Sequence, residues 1–368
     1  MPCNHGRVPR SSARVSSSRP PGRGHRQALG ALVATAAWAV VSLVAPSAVA
    51  AHGPVPHEPP TLANLVLGWS FQPTIAIPLI LAAIGWLALV RRVRREHPAS
   101  PVPASRTLAF LGGLGAIAVA LLSGIERYDT TLFSVHMVQH LLLILVAAPL
   151  IALAAPITQV LRVATPRVRR RVILPVLHSR VVAALGHPVV AWLTFTLVTW
   201  VSHFSALFDL SLENEAVHTF EHAAFLTAGL MFWWPVVAAD PAPKRLTYPV
   251  RVLYLLLQMP PSSFLGMAIL FATSPLYPHY ATLGSPYGVD ALADQQLAGG
   301  IMWISGDVVL ITAIAAVVAA WMRHEERDAP AAERRAAAGR ERLRERADEL
   351  ARSRAARPDA DGPAKVER

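Results

Sequence analysis

The chain has 368 residues, 53% of them hydrophobic and 15% charged, with a formal net charge of +11. A soluble domain carries roughly a quarter charged residues, and here the apolar residues come in blocks rather than in a stripe, which excludes an ordinary soluble fold and predicts a polytopic membrane protein. The basic residues sit in short runs between the blocks and in the two tails, with no basic stripe interleaved with aromatics, so the expected partner of that charge is the lipid bilayer and not nucleic acid.

Residues 1–27 are polar and Arg-rich, residues 28–47 are apolar, and Ala48-Val49-Ala50 follows. A basic region, an apolar region and an A-x-A box read as a secretory signal peptide over 1–50, with an uncleaved first helix as the alternative. The single cysteine, Cys3, lies in that leader. The remaining chain then has no disulfide, no thiolate metal site and no CxxCH haem attachment. Residues 51–72 form a short outer segment containing AHGPVPHE; His52 next to a free amine could capture Cu(II), or the stretch is a plain leader.

Seven apolar segments follow, at about 73–90, 106–123, 133–155, 187–203, 216–238, 248–272 and 298–321. Each approaches the ~20 residues that a helix needs to cross the hydrocarbon core. The expected fold is all-α: a bundle of seven transmembrane helices over 73–322, or eight with an uncleaved leader. Pro260-Pro261 predicts a kink or break in the sixth segment. Arginines and lysines fill alternate connections (Arg91 to Arg95, Arg162 to Arg180, Lys244 to Arg251), while the others hold Asp129, Asp209, Glu213, Glu215, Asp290 and Asp294 with only Arg127. The positive-inside rule then places the mature N-terminus outside and the C-terminus in the cytoplasm of a bacterial plasma membrane. Residues 323–368, which include ERRAAAGRERLRERADEL, read as a basic cytoplasmic tail, partly helical with a disordered tip or touching anionic lipid.

Histidines gather on the outer side. His136 and His140 open the third segment, His203 closes the fourth, and His218 and His222 open the fifth. Residues i and i+4 share a helix face, so each HxxxH can aim two imidazoles at one ion with bonds of about 2.0 Å. Ionisable groups in a membrane are costly and usually face a bundle interior. The five histidines are therefore candidate metal ligands, against the plainer reading of satisfied interfacial residues. Glu221, between His218 and His222, could orient an imidazole or ligate directly. Imidazole suits copper, zinc, iron and nickel. Met137 could add a soft thioether, though its position favours packing. In DQQLAGGIMWISGD, Asp294 sits at the outer entrance of the last segment and Gly299 and Gly300 permit close packing. Asp307, deeper in, is either a relay group or a helix-to-helix hydrogen bond. The inner-side His97, His178, His187 and His324 form no cluster.

The segments HMVQHLLLILVAAPLIALAAP, EHAAFLTAGLMFWWPV, PLYPHY and DQQLAGGIMWI, in this order over about residues 60–322, resemble the CtaG family of caa3-type cytochrome c oxidase assembly proteins. The resemblance implies a non-enzymatic plasma-membrane protein that assists formation of a haem–copper oxidase and has oxidase subunits as partners. It also implies copper handled at His136, His140, His218 and His222, with His203. The competing expectations are a membrane oxidoreductase holding bis-histidine haem between the third and fifth segments, and a copper transporter.

Overall fold

The computed structural model describes residues 57–241, 245–284 and 286–355, and no strand occurs among them. The leader with its A-x-A box, His52 and the tip of the tail lie outside the described residues. Every expected apolar segment coincides with a helix. These are α1 (Pro73–Glu96), α2 (Ala104–Leu122), the short α3 (Gly124–Tyr128), and α4 (Phe133–Leu141). A π turn over Leu142–Ala147 carries α4 into α5 (Ala148–Ala154), and α6 (Pro156–Val163) follows. Then come α7 (Pro188–His203), α8 (Leu207–Glu213), α9 (Glu215–Val237), α10 (Tyr248–Leu270), the short α11 (Pro278–Thr282) and α12 (Ala291–Ala355).

Local chemistry sets the helix starts. Proline occupies the first turn of α1, α6, α7 and α11, where its missing N–H has no intrahelical partner to lose. The side chain of Ser123 caps α3, and that of Asn214 caps α9 by accepting the N–H groups of Ala216 and Val217. Ala155, in the left-handed region at φ 54°, turns the chain between α5 and α6. The tail continues α12 as an exposed helix to Ala355, in keeping with its Ala, Arg and Glu content.

Among the described residues, five helices are long and apolar enough to cross a membrane: Pro73–Glu96, Ala104–Tyr128, Phe133–Val163, Tyr248–Leu270 and Ala291–Ser353. The pair α7 and α8, bent by 69°, makes up to six. The expected seven is thus met in part, for physical reasons. α7 alone has only 16 residues, and α9, though 23 residues long, is diluted by its histidines, glutamates and tryptophans. Of the kink or break expected at Pro260-Pro261, the break is corrected: α10 runs as one helix through both prolines. Trp200 Nε1 of α7 donates to the Pro261 carbonyl at 3.1 Å and ties the two helices at this point.

The core lies between α2, the α4–α5 unit, α9 and α10, filled by Leu121, Leu143, Phe225, Phe232 and Leu255. Large apolar side chains such as Ile80, Leu197, Leu257 and Ile311 point outward instead, as lipid-facing positions do. α10 and α12 cross at two glycines: a Cβ on Gly299 would come within 2.8 Å of the Gly266 carbonyl oxygen. Gly300 has no such neighbour, so the expected close packing belongs to Gly299.

Each end of the bundle is stitched separately. At one end, His97 bonds the Arg162 carbonyl at 3.1 Å, and Asp240 accepts the N–H groups of Ile157 and Thr158 at 3.2 and 2.6 Å. The arginine-rich connections meet there. At the other end, Tyr280 donates to the Asp129 carbonyl at 2.6 Å, and His279 Nε2 to the Thr130 carbonyl at 2.9 Å. The histidine pairs lie at this second end.

Candidate metal centre

Three elements build the site. α3, capped by Ser123, turns Glu126 inward and delivers Asp129 one residue past its end. α4 carries His136, Gln139 and His140, and α9 carries His218, Glu221 and His222. The two helices share one pattern, H-x-x-Q-H and H-x-x-E-H, which sets three polar groups on one face of each. All of these side chains are buried, with His136, Gln139 and Asp129 at 0% exposure and none above 5%.

The four imidazoles form a quadrilateral. Ring centroids lie 4.3 Å apart for His136–His140 and 4.2 Å for His218–His222. Across the helices the separations are 5.3 Å for His136–His218 and 5.8 Å for His140–His222. Carboxylates sit against them. Glu221 Oε2 is 3.9 Å from Nε2 of both His136 and His140, while its Oε1 accepts from the Ser202 hydroxyl. Asp129 Oδ2 is 3.7 Å from His218 Nε2. Gln139 joins the two helices, accepting from His222 Nε2 at 3.0 Å and donating to Glu126 Oε2 at 2.5 Å and to the Ala120 carbonyl at 3.1 Å.

Donor chemistry and spacing both suit a cation. Three groups have ligand atoms within 4.8 Å of one another: Asp129 with His136 and His218, His136 with His140 and Glu221, and Glu126 with Asp129 and His222. Bonds of about 2.1 Å in a tetrahedron put ligand atoms ~3.4 Å apart. The observed separations of 3.7 and 3.9 Å need only small rotamer adjustments to reach that. His140 adds a direct sign. Both its ring nitrogens are buried without a hydrogen-bond partner, although its ring stacks on Phe225 at 4.0 Å. Leaving such groups unsatisfied costs about 1–3 kcal/mol each, a cost that a bound cation removes at the nitrogen it ligates.

His203 lies beside the cluster, its ring centroid 6.3 Å from that of His140, without joining any of the three groups: its Nδ1 bonds the Thr199 carbonyl at 2.7 Å, and its Nε2 lies 3.3 Å from the Met137 sulfur. Met137 packs in the aromatic cluster of Phe133, Phe208, Tyr277 and Tyr280. Asp294 touches α4 at Ser134 and no histidine of the cluster. Asp307 bonds Ser263 at 2.9 Å and Trp303 Nε1 at 2.9 Å, a helix-to-helix role. Glu126, Asp129 and Gln139 were not among the sequence candidates. The signal for Gln139 was its place between His136 and His140, matching Glu221 between His218 and His222.

Long apolar helices around a polar cluster buried near one end define a helical membrane protein. The family described as cytochrome c oxidase caa3 assembly factor (Caa3_CtaG) matches residues 84–324, and the chain belongs to it. It is similar to the uncharacterised proteins Mb0105 of Mycobacterium bovis and MT0111 of Mycobacterium tuberculosis, each 33% identical over 286 residues. Protein ML1998 of Mycobacterium leprae, also uncharacterised, is 32% identical over the same length. The aligned part covers 76% of this chain and 43% of each relative, so the chain spans less than half the length of the curated relatives it matches. No solved structure matches.

Proposed function

We propose that this protein assists assembly of a haem–copper cytochrome c oxidase by holding copper at the cluster of His136, His140, His218 and His222. The observation that carries the reading is the convergence of two buried HxxxH pairs with Glu221 and Asp129 between them. Imidazole is a ligand that suits copper, and the surrounding carboxylates offer it alternative donors.

The cluster lies at the end opposite the arginine-rich connections, and the positive-inside rule makes that end the outer one. Copper would therefore enter and leave on the face where an oxidase subunit could receive it. The connection containing α11 covers the site through Tyr280, His279 and the bond from Leu276 N–H to Gln295 at 2.6 Å. Handover requires that cover to lift. Copper is favoured over haem because the four rings already pack within 4.2–5.8 Å of their neighbours, and a flat macrocycle needs an open slot between the helices.

The test is complementation of a strain lacking the gene. His140→Ala with His222→Ala should lower the copper bound per oxidase several-fold while haem per oxidase holds, with partial rescue by added copper. Full oxidase copper in that strain would remove the reading.

A further inference from the structure

The cluster has more ligands than one ion can use. It contains four histidines and three carboxylates; two of its three ligand groups have no member in common, and the third, Asp129 with His136 and His218, bridges them. His136, His140 and Glu221 form the first. Glu126, Asp129 and His222 form the second, to which His218 adds its Nε2 at 3.7 Å from Asp129. We propose that the site holds two cations side by side, one in each set. This deepens the copper reading above and rests on it.

Three features support the division. Glu221 directs one oxygen at His136 and His140 equally, at 3.9 Å, and its other oxygen is held by Ser202, so the carboxylate is oriented towards the first set. Gln139 binds two members of the second set at once, His222 and Glu126, and fixes their relative position in the way outer partners orient metal ligands. Both nitrogens of His140, a member of the first set, are buried with no hydrogen-bond partner. The sets differ in character: two imidazoles and one carboxylate in the first, two carboxylates and two imidazoles in the second. Mixed nitrogen and oxygen donors of this kind fit borderline divalent ions such as Cu(II) and Zn(II), and the second set is the harder of the two. Two ions held by neighbouring sets sharing a wall of side chains would lie within several ångströms of each other, as in other two-metal sites at roughly 3.5–4 Å.

The experiment loads the full chain in detergent with Cu(II), removes excess metal, counts copper per protein by mass spectrometry and records electron paramagnetic resonance. Two coppers per chain are expected, with a half-field signal from coupled Cu(II) ions. His140→Ala should leave one copper with an uncoupled spectrum, and so should Glu126→Gln combined with Asp129→Asn. Glu221→Gln, a milder change, guards against misfolding and should also leave one. A single copper in the wild type, lost in both His140→Ala and the acid variant, would overturn the two-ion arrangement and leave the copper reading intact. No copper in the wild type would overturn both.

Discussion

The Asp294 carboxylate holds Ser134 by two hydrogen bonds, one from the Ser134 backbone N–H at 3.2 Å and one from its hydroxyl. Asp294 opens α12 and Ser134 opens α4, so the last helix of the bundle caps the helix that carries His136 and His140. An acidic group near a helix N-terminus satisfies orphan donors and complements the helix dipole. Asp294→Ala should lower stability by about 1–2 kcal/mol, as loss of a cap does. It should also weaken copper binding several-fold with no ligand removed. Thermal unfolding in detergent and a copper titration check the two halves; unchanged affinity in a destabilised variant would confine Asp294 to the fold.

The crossing of α10 and α12 gives a paired prediction. A Cβ on Gly299 would meet the Leu270 backbone nitrogen at 2.5 Å, whereas on Gly300 it would meet only the Leu270 Cδ1 at 4.0 Å. Gly299→Ala should cost about 1–3 kcal/mol by overpacking, and Gly300→Ala should be neutral or slightly stabilising. Equal melting temperatures for the two variants would contradict the crossing.

Trp233 donates from Nε1 to the Ile144 carbonyl at 2.7 Å, inside the π turn that follows α4. Both groups are buried, so Trp233→Phe strands a carbonyl and should cost about 1–3 kcal/mol. A melting temperature equal to the wild type would show that the π turn needs no such support.

Asp240 supplies a pH dependence from outside the spans. Burial pushes its carboxyl above the ordinary 3.8, against the hydrogen bonds from Thr158 and Ile157. The folded state then binds this proton more tightly than the unfolded one. Its contribution is present in full below the unfolded value and is lost as pH rises through the folded value. Melting temperature relative to Asp240→Asn should therefore fall as pH rises through the window above 3.8. A constant difference between the two proteins across that window would contradict the sign.

The helix pairs and their histidines were legible because two strong signals coincide. Long apolar blocks mark the helices, and HxxxH sets two imidazoles on one face. Glu126 and Asp129 were not legible as site groups. In the sequence, ERYD reads as a connection between spans, and only the short α3 folds it back over the histidines. His203 reaches the edge of the cluster, 6.3 Å from His140 between ring centroids, with its nitrogens engaged at Thr199 and Met137. Periodicity fixes the face of one helix and not the mutual rotation of three. Pro260-Pro261 likewise carried a local rule that membrane helices can relax, and α10 continues through both residues.

The most direct test of copper at the paired histidines is made on the protein isolated from membranes in detergent. Its absorption spectrum and metal content are recorded beside those of a variant with His136, His140, His218 and His222 changed to Ala. Copper bound at one or more equivalents with no Soret band, and lost in the variant, is the predicted result. A Soret band lost in the variant, or no copper even after loading with Cu(I) and Cu(II), would contradict the account.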